Sequence, residues 1–185
     1  MNNGYGAGAL ETKFCQFDEL TGLKNGAEIS GYASVFGAAD QGGDVVVKGA
    51  YRGSLGKLAK RGSGVKMLWQ HDPTKPIGIW DEVREDDKGL FVKGRLLTEV
   101  QAGAEALALV KAGAIDGLSI GYRTVRAEKK SGGQRMLHEL ELWEVSLVTF
   151  PMLPEARVGE ADTADDQLAQ ELLGALNAAR QELLA

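Results

Sequence analysis

Three residues of this chain have the types and settings that acyl-transfer chemistry requires. His71 stands at the end of an apolar strand, and Ser119 has a glycine two residues away on each side. Glu144 interrupts an apolar stripe in the last predicted strand. A serine hydroxyl is a weak nucleophile until a base takes its proton, and histidine ionises close to neutral pH. A carboxylate fixes the tautomer of such a histidine and stabilises its imidazolium. Together the three residues suggest a serine hydrolase triad.

His71 and Ser119 each also have a purely structural interpretation. His71 can be a surface histidine where the chain leaves the sheet, with Pro73 stopping regular pairing. Ser119 can be an incidental serine in a strand, and its neighbours Gly117 and Gly121 can be barrel glycines. In the functional interpretation those glycines leave clearance for a substrate backbone. Each residue taken alone leaves both interpretations open.

Strand alternation separates Glu144 from the other acids near it. Glu144 shares a face with Leu142 and Ser146, whereas Glu139 and Glu141 lie on the opposite face. A carboxylate on a largely apolar face needs a partner, and a histidine ring N–H can be that partner. Glu139 and Glu141 can be the solvated acids of an edge strand.

The elements that must position these residues are mainly short strands separated by glycine turns. Glycine accounts for 25 of 185 residues, about twice the usual share of ~7%. Periodicity predicts helices over Ala50–Lys60 and Glu99–Ala112, the second ending at a glycine stop. Eight strands are predicted, at Thr12–Phe17, Glu28–Phe36, Val45–Lys48, Val65–Gln70, Ile77–Glu82, Gly89–Leu97, Gly117–Arg126 and Arg135–Phe150. The pattern predicts a mainly β fold with flanking helices, in a largely antiparallel barrel or sandwich.

The composition changes after Pro154. Seven acids and two bases from Glu155 onward carry the whole net charge of −5, so the preceding residues are neutral in sum. Leucines spaced by three or four residues predict an amphipathic helix over Asp162–Leu184. We interpret this tail as serving association or targeting rather than catalysis.

Composition also excludes several classes of protein. Neither part of the chain has the basic face of a nucleic-acid binder. No apolar run approaches the ~18 residues of a membrane helix, and the first residues lack a signal-peptide pattern. Cys15 is the only cysteine and there are two histidines, which argues against disulfides and metal sites. We therefore expect no cofactor, no metal, no nucleic acid and no membrane.

Several rare strings, taken in order, resemble the prohead maturation proteases of tailed bacteriophages. These strings are Gly31–Phe36, Gly49–Tyr51, Leu68–Asp72, Pro76–Gly78, Gly89–Leu90, Asp116–Tyr122 and Glu144–Pro151. The resemblance implies a serine endopeptidase related in fold to the herpesvirus assemblins, a β-barrel ringed by helices. It implies that His71 is the general base, Ser119 the nucleophile and Glu144 the third member. Assemblins use a second histidine in that third place, so His138 is a rival, as is Glu141.

The resemblance also implies a biological setting. Such an enzyme cleaves the scaffold, the capsid protein precursor and itself inside the assembling prohead, in the host cytoplasm. Assemblins work as dimers, which predicts a homo-oligomer. The alternative is a non-catalytic β-barrel that serves as a scaffold or interaction module of the prohead.

Two further expectations concern organisation. The chain divides into an N-terminal segment, 1–27, that forms part of the barrel, a protease domain, 28–156, and an acidic linker with the C-terminal helix, 157–185. An acyl-transfer enzyme also needs an oxyanion hole. Prolines at 151 and 154 have no N–H to offer, so the backbone amides of Met152 and Leu153 are the predicted donors.

Overall fold

The computed structural model describes residues 26–40, 42–130 and 133–149, together with the backbone of residues 11–15. These residues form eight strands and two helices. The predicted tail helix and the predicted oxyanion donors Met152 and Leu153 lie outside the described residues. In chain order the elements are β1 (Glu11–Cys15), β2 (Glu28–Val35), β3 (Asp44–Val46), α1 (Arg52–Arg61), β4 (Lys66–Trp69), β5 (Asp72–Glu85), β6 (Gly89–Leu96), α2 (Gln101–Lys111), β7 (Gly117–Lys129) and β8 (Arg135–Val148).

All eight strands belong to one sheet that curls into a half-barrel. The strand order is β1-β7-β8-β4-β5-β6-β2, with β3 paired to β8 away from this path. Strand β2 also contacts β1 and β7, because the sheet curls back on itself. Most pairs are antiparallel, but β3 and β4 each run parallel to β8. The predicted mainly β fold with flanking helices is therefore confirmed.

Two helices cover parts of the sheet. Helix α1 packs against β8, and α2 packs against β5 and β6. Helix α1 ends where Gly62 takes a left-handed conformation with φ +62°, and its last turn carries two basic residues. Gly113, the predicted stop after α2, has φ +68°. Each helix is thus followed by a glycine in the left-handed conformation.

The two central strands are buried on both faces over the stretch that carries the candidate site. Every residue from Gly117 to Tyr122 on β7 is buried, as is every residue from Glu144 to Val148 on β8. A polar side chain in such a strand has to find a protein partner, because water cannot satisfy it there. Ser119 and Glu144 both lie in these buried stretches, so we expect each side chain to be hydrogen-bonded to another protein group.

Strand β5 departs most from the prediction. It begins at Asp72, five residues before the predicted start at Ile77. Asp72 pairs with Trp69 and Pro76 pairs with Leu68, so the three residues between Asp72 and Pro76 bulge out of the ladder. The irregularity expected at Pro73 is present, but it does not end the strand.

The described residues contain neither a membrane-spanning helix nor a cluster of metal ligands. Neither α1 nor α2 is long and apolar enough to cross a bilayer. Within the same part of the chain, no group of three or more His, Cys, Asp and Glu side chains is arranged to hold a metal ion.

Candidate active site

His71 lies in the tight turn that joins β4 to β5. Trp69 and Asp72 are paired, so Gln70 and His71 are the two central residues of a hairpin. Both have positive φ, +52° for Gln70 and +61° for His71. Two-residue hairpins favour this backbone but normally place asparagine or glycine there. The turn therefore holds the histidine in an uncommon conformation instead of leaving it on a regular strand end.

Ser119 and Glu144 contact opposite edges of the His71 ring. Ser119 Oγ lies 2.5 Å from His71 Nε2. Glu144 Oε1 lies 2.5 Å from His71 Nδ1. With the ring proton on Nδ1, the imidazole donates to the carboxylate and accepts from the serine hydroxyl. That tautomer is the one a general base needs in order to take a proton from serine.

The position of β8 between β7 and β4 explains why these three side chains meet. On one side, antiparallel pairing places Ser119 opposite Ser146 and Gly121 opposite Glu144. On the other side, parallel pairing places Trp69 opposite Leu147. The hairpin that carries His71 therefore follows directly from the strand next to β8. Strand β8, which carries Glu144, thus sets the distance from Glu144 to Ser119 on β7 and to His71 after β4.

The site is largely closed to solvent in this conformation. Ser119 has no exposed surface, and Glu144 is 4% exposed. The side chain of His71 is 18% exposed, so solvent reaches this group of three residues at the imidazole. Burial strengthens the electrostatic interactions of the imidazole with the carboxylate.

Gly121 gives the carboxylate of Glu144 its space. A Cβ atom at position 121 would lie 2.1 Å from Glu144 Oε1 and 2.8 Å from its Cδ. Those separations are far below van der Waals contact, so only glycine fits unless Glu144 moves. The sequence suggested that this glycine clears a path for a substrate backbone. That interpretation is wrong, because the carboxylate fills the space.

Gly121→Ala should consequently displace Glu144 and lower kcat by about 100-fold, the loss typical of a misplacement of about 1 Å at a catalytic group. Peptide cleavage and thermal unfolding measured together would check this. Gly56→Ala is the matched control, because Gly56 lies in α1 with no atom within 4 Å of an added Cβ. The control should keep its activity and gain about 1 kcal/mol of stability. A folded Gly121→Ala protein with the wild-type rate would contradict this role for Gly121.

The two rivals for the third position have other partners. Glu141 forms an ion pair with Arg123, the residue opposite it on β7. His138 lies earlier on β8, and its Nε2 is 3.4 Å from Oε2 of Glu128. Of the three candidates, Glu144 is the one that contacts the His71 ring.

Asp72, the residue after His71, is a partly exposed acid whose pKa is lowered. The Thr74 hydroxyl and then the Thr74 backbone N–H donate to its carboxylate, and Lys75 adds a smaller favourable charge. These bonds form a local turn that shapes the bulge after the hairpin. The carboxylate of Asp72 therefore holds the bulge beside the hairpin.

Sequence reasoning missed two polar residues that touch the site. The Gln70 amide donates to Thr149 Oγ1 at 2.7 Å, which links the hairpin to the end of β8. Ser146, fully buried, donates from its hydroxyl to Glu144 Oε2 at 2.6 Å. Strand alternation places Ser146 on the same face as Glu144, and this was the signal available in the sequence.

Comparison with known proteins identifies the family. A family model described as caudovirus prohead serine protease matches residues 16–170. The chain belongs to this family. Among relatives of this prohead serine protease, the prohead protease of Enterobacteria phage HK97 is 30% identical over 160 residues, covering 83% of this chain and 70% of that protein. The capsid polyprotein of Pseudomonas phage PAJU2 is 33% identical over 109 residues, covering 55% of this chain and 16% of that protein.

A solved structure agrees with the fold of this prohead serine protease. The capsid assembly protease of bacteriophage T4 superposes with a TM-score of 0.61, covering 77% of this chain and 97% of that chain at 16% identity. At that identity the likeness bears on the fold alone. Family membership makes the chain a serine protease of prohead maturation, which confirms the protease interpretation over the non-catalytic module.

Proposed function

We propose that this serine endopeptidase works with Ser119 as nucleophile, His71 as general base and Glu144 as the acid that orients the histidine. The observation that carries the proposal is the continuous chain of two contacts, Ser119 Oγ to His71 Nε2 and His71 Nδ1 to Glu144 Oε1, both 2.5 Å. A nucleophile, a base and an orienting group within hydrogen-bond reach of one another is the arrangement that covalent hydrolysis requires.

In the proposed mechanism, Ser119 Oγ attacks the carbonyl carbon of the scissile peptide bond while its proton passes to His71 Nε2. The imidazolium then gives that proton to the leaving amine as the C–N bond breaks, which leaves an acyl ester on the serine. Water attacks the ester with His71 again as base, releasing the acid and restoring the serine. The carboxylate of Glu144 orients the His71 ring and balances the charge of the imidazolium.

Substrate access requires a local movement. Ser119 has no exposed surface, whereas attack needs a peptide carbonyl within about 3 Å of its Oγ. Binding of the substrate must therefore move the residues that cover this serine, as in enzymes that close or open around a bound peptide. The backbone N–H groups of Met152 and Leu153, outside the described residues, remain the proposed donors to the oxyanion.

The proposed substrates are the capsid protein precursor and the scaffold, with the protease itself as a further substrate, inside the assembling prohead in the host cytoplasm. The names of two relatives support this, one a prohead protease and the other a capsid polyprotein. Purified protein incubated with the capsid precursor of its own phage should generate new termini that mass spectrometry can map. A precursor that stays intact after incubation with protein that cleaves a short peptide would count against this substrate.

The rate should fall on acidification. A protonated imidazole cannot accept the serine proton, so kcat/KM should decrease as the pH is lowered. Circular dichroism at each pH separates this effect from unfolding. A flat acid limb in a protein that stays folded would argue against histidine as the base.

We also propose that residues 28–156 form the protease domain, that residues 1–27 add to the barrel, and that 157–185 form an acidic linker and helix for self-association or targeting. Pairing of β1 with β7 supports the second part.

Deletion of residues 160–185 should leave cleavage of a short peptide within about threefold, because no proposed catalytic side chain lies there. The same deletion should lower the oligomeric mass or the incorporation into shells. A folded truncated monomer that has lost peptide cleavage would contradict this division.

A further inference from the structure

Ser146 occupies the centre of the site without belonging to the proposed triad. It lies on β8, two residues after Glu144, and has no exposed surface. Its partner in the antiparallel ladder is Ser119, and its partner in the parallel ladder is Leu68. Ser146 therefore stands between the strand of the nucleophile and the strand that leads to the histidine.

The hydroxyl of Ser146 links two other members of the site. It donates its single proton to Glu144 Oε2 at 2.6 Å. It accepts the backbone N–H of His71 at 3.1 Å. Since Glu144 uses its other oxygen for the His71 ring, Ser146 fixes the carboxylate from the side opposite the imidazole. One side chain thus contacts both the acid and the backbone of the histidine.

The backbone that Ser146 contacts has an unfavourable conformation. Gln70 and His71 both have positive φ, which non-glycine residues keep only where surrounding contacts stabilise it. The backbone N–H of Gln70 is bonded to the carbonyl of Leu147 at 3.0 Å, and that of His71 is bonded to Ser146. Consecutive residues of β8 therefore hold consecutive residues of the hairpin.

We propose that Ser146 is a positioning residue that fixes the Glu144 carboxylate and the His71 backbone relative to each other. The inference rests on the proposed triad. Ser146 acts through these two residues, since its described contacts are to them and not to the Ser119 hydroxyl. Its loss should allow the imidazole to rotate or shift away from Ser119 Oγ, and near-attack geometry is sensitive to such shifts.

Ser146→Ala should lower kcat by about 10- to 100-fold and leave KM within about twofold, because the lost contacts orient the catalytic groups and do not bind substrate. The same substitution in a Glu144→Gln background should cost less than about threefold, since groups that act as a unit are strongly non-additive. A fluorogenic peptide assay with enough range for the slow variants measures both.

Ser54→Ala is the matched control. The Ser54 hydroxyl is also buried and accepts the backbone N–H of Leu142 on the same strand, at 2.9 Å. Removing it deletes a buried hydrogen bond to β8 without touching the triad. Both serine variants should lose thermal stability, but the control should retain its kcat.

Several outcomes would overturn the inference. Wild-type kcat in Ser146→Ala would leave Ser146 with a role in stability alone. The full loss repeated in the Glu144→Gln background would show that Ser146 does not act through Glu144. If Ser146→Ala does not fold, Ser146→Cys decides, because a thiol keeps the shape with weaker bonds at both ends. An intermediate kcat supports the inference and an unchanged one overturns it. Failure of the triad itself is distinguishable, because Ser119→Ala or Glu144→Gln alone would then remain active.

Discussion

Ser119→Ala and His71→Ala should each lower the cleavage rate by about 10⁶-fold, and the double variant should be no slower than either one. Members of a serine protease triad act as a unit, so removing the nucleophile or its base costs almost as much as removing all of them. The 2.5 Å contact between Ser119 Oγ and His71 Nε2 is the structural basis of this expectation. Cleavage of a fluorogenic peptide, followed over hours for the variants, measures the loss.

Folding should survive both substitutions. Ser119→Ala removes the buried hydrogen bond to His71, worth about 1 kcal/mol, and adds no volume. His71 has positive φ, and alanine is less tolerant of that conformation than asparagine, so His71→Asn is the better control for backbone effects. Circular dichroism and thermal unfolding check that inactivity is not loss of structure. Activity within tenfold of wild type in a folded Ser119→Ala protein would remove Ser119 from the mechanism.

Glu144→Gln should lower kcat by about 10⁴-fold, the loss expected when the acid of such a triad becomes an amide. A glutamine can turn an N–H towards His71 Nδ1, and the ring proton would then move to Nε2. That tautomer cannot accept the proton of Ser119. The substitution keeps the shape of the side chain, so Gly121 still provides the space it occupies.

Glu141→Gln and His138→Ala are the matched controls for this experiment. Glu141 is on the same strand and is paired to Arg123, while His138 faces Glu128. Both should retain activity within a few fold, because neither contacts the His71 ring through an observed bond. Near-wild-type activity in Glu144→Gln together with loss in either control would show that the third member has been assigned wrongly.

Local features of the fold could be predicted from the sequence because they depend on neighbours in the chain. Strand alternation and glycine turns placed β2 and β6 within one residue of their observed ends. The glycine after α2 ended that helix as expected. The assignment of Glu144 over Glu141 rested on the same alternation, and the contact of Glu144 with His71 agrees with it.

Long-range pairing could not be predicted in the same way. The parallel pairing of β4 with β8 joins residues far apart in the chain, and no local pattern specifies it. That pairing brings the hairpin of His71 to Ser146, and it explains why a buried serine on β8 contacts a backbone N–H from β4's turn. The space beside Gly121 likewise depends on which residue of β8 lies opposite, so its occupant became known only from the register.

The most direct test of Ser119 as the nucleophile is to locate the covalent adduct formed by a serine-directed fluorophosphonate. Tryptic cleavage after Lys111 and Arg123 gives a peptide, 112–123, in which Ser119 is the single serine, whereas Ser146 falls in a separate peptide, 136–157. We predict that the mass of the adduct appears on peptide 112–123 of the wild-type protein and is absent from His71→Ala. An adduct on peptide 136–157, or full cleavage activity with Ser119 unmodified by the reagent, would contradict it.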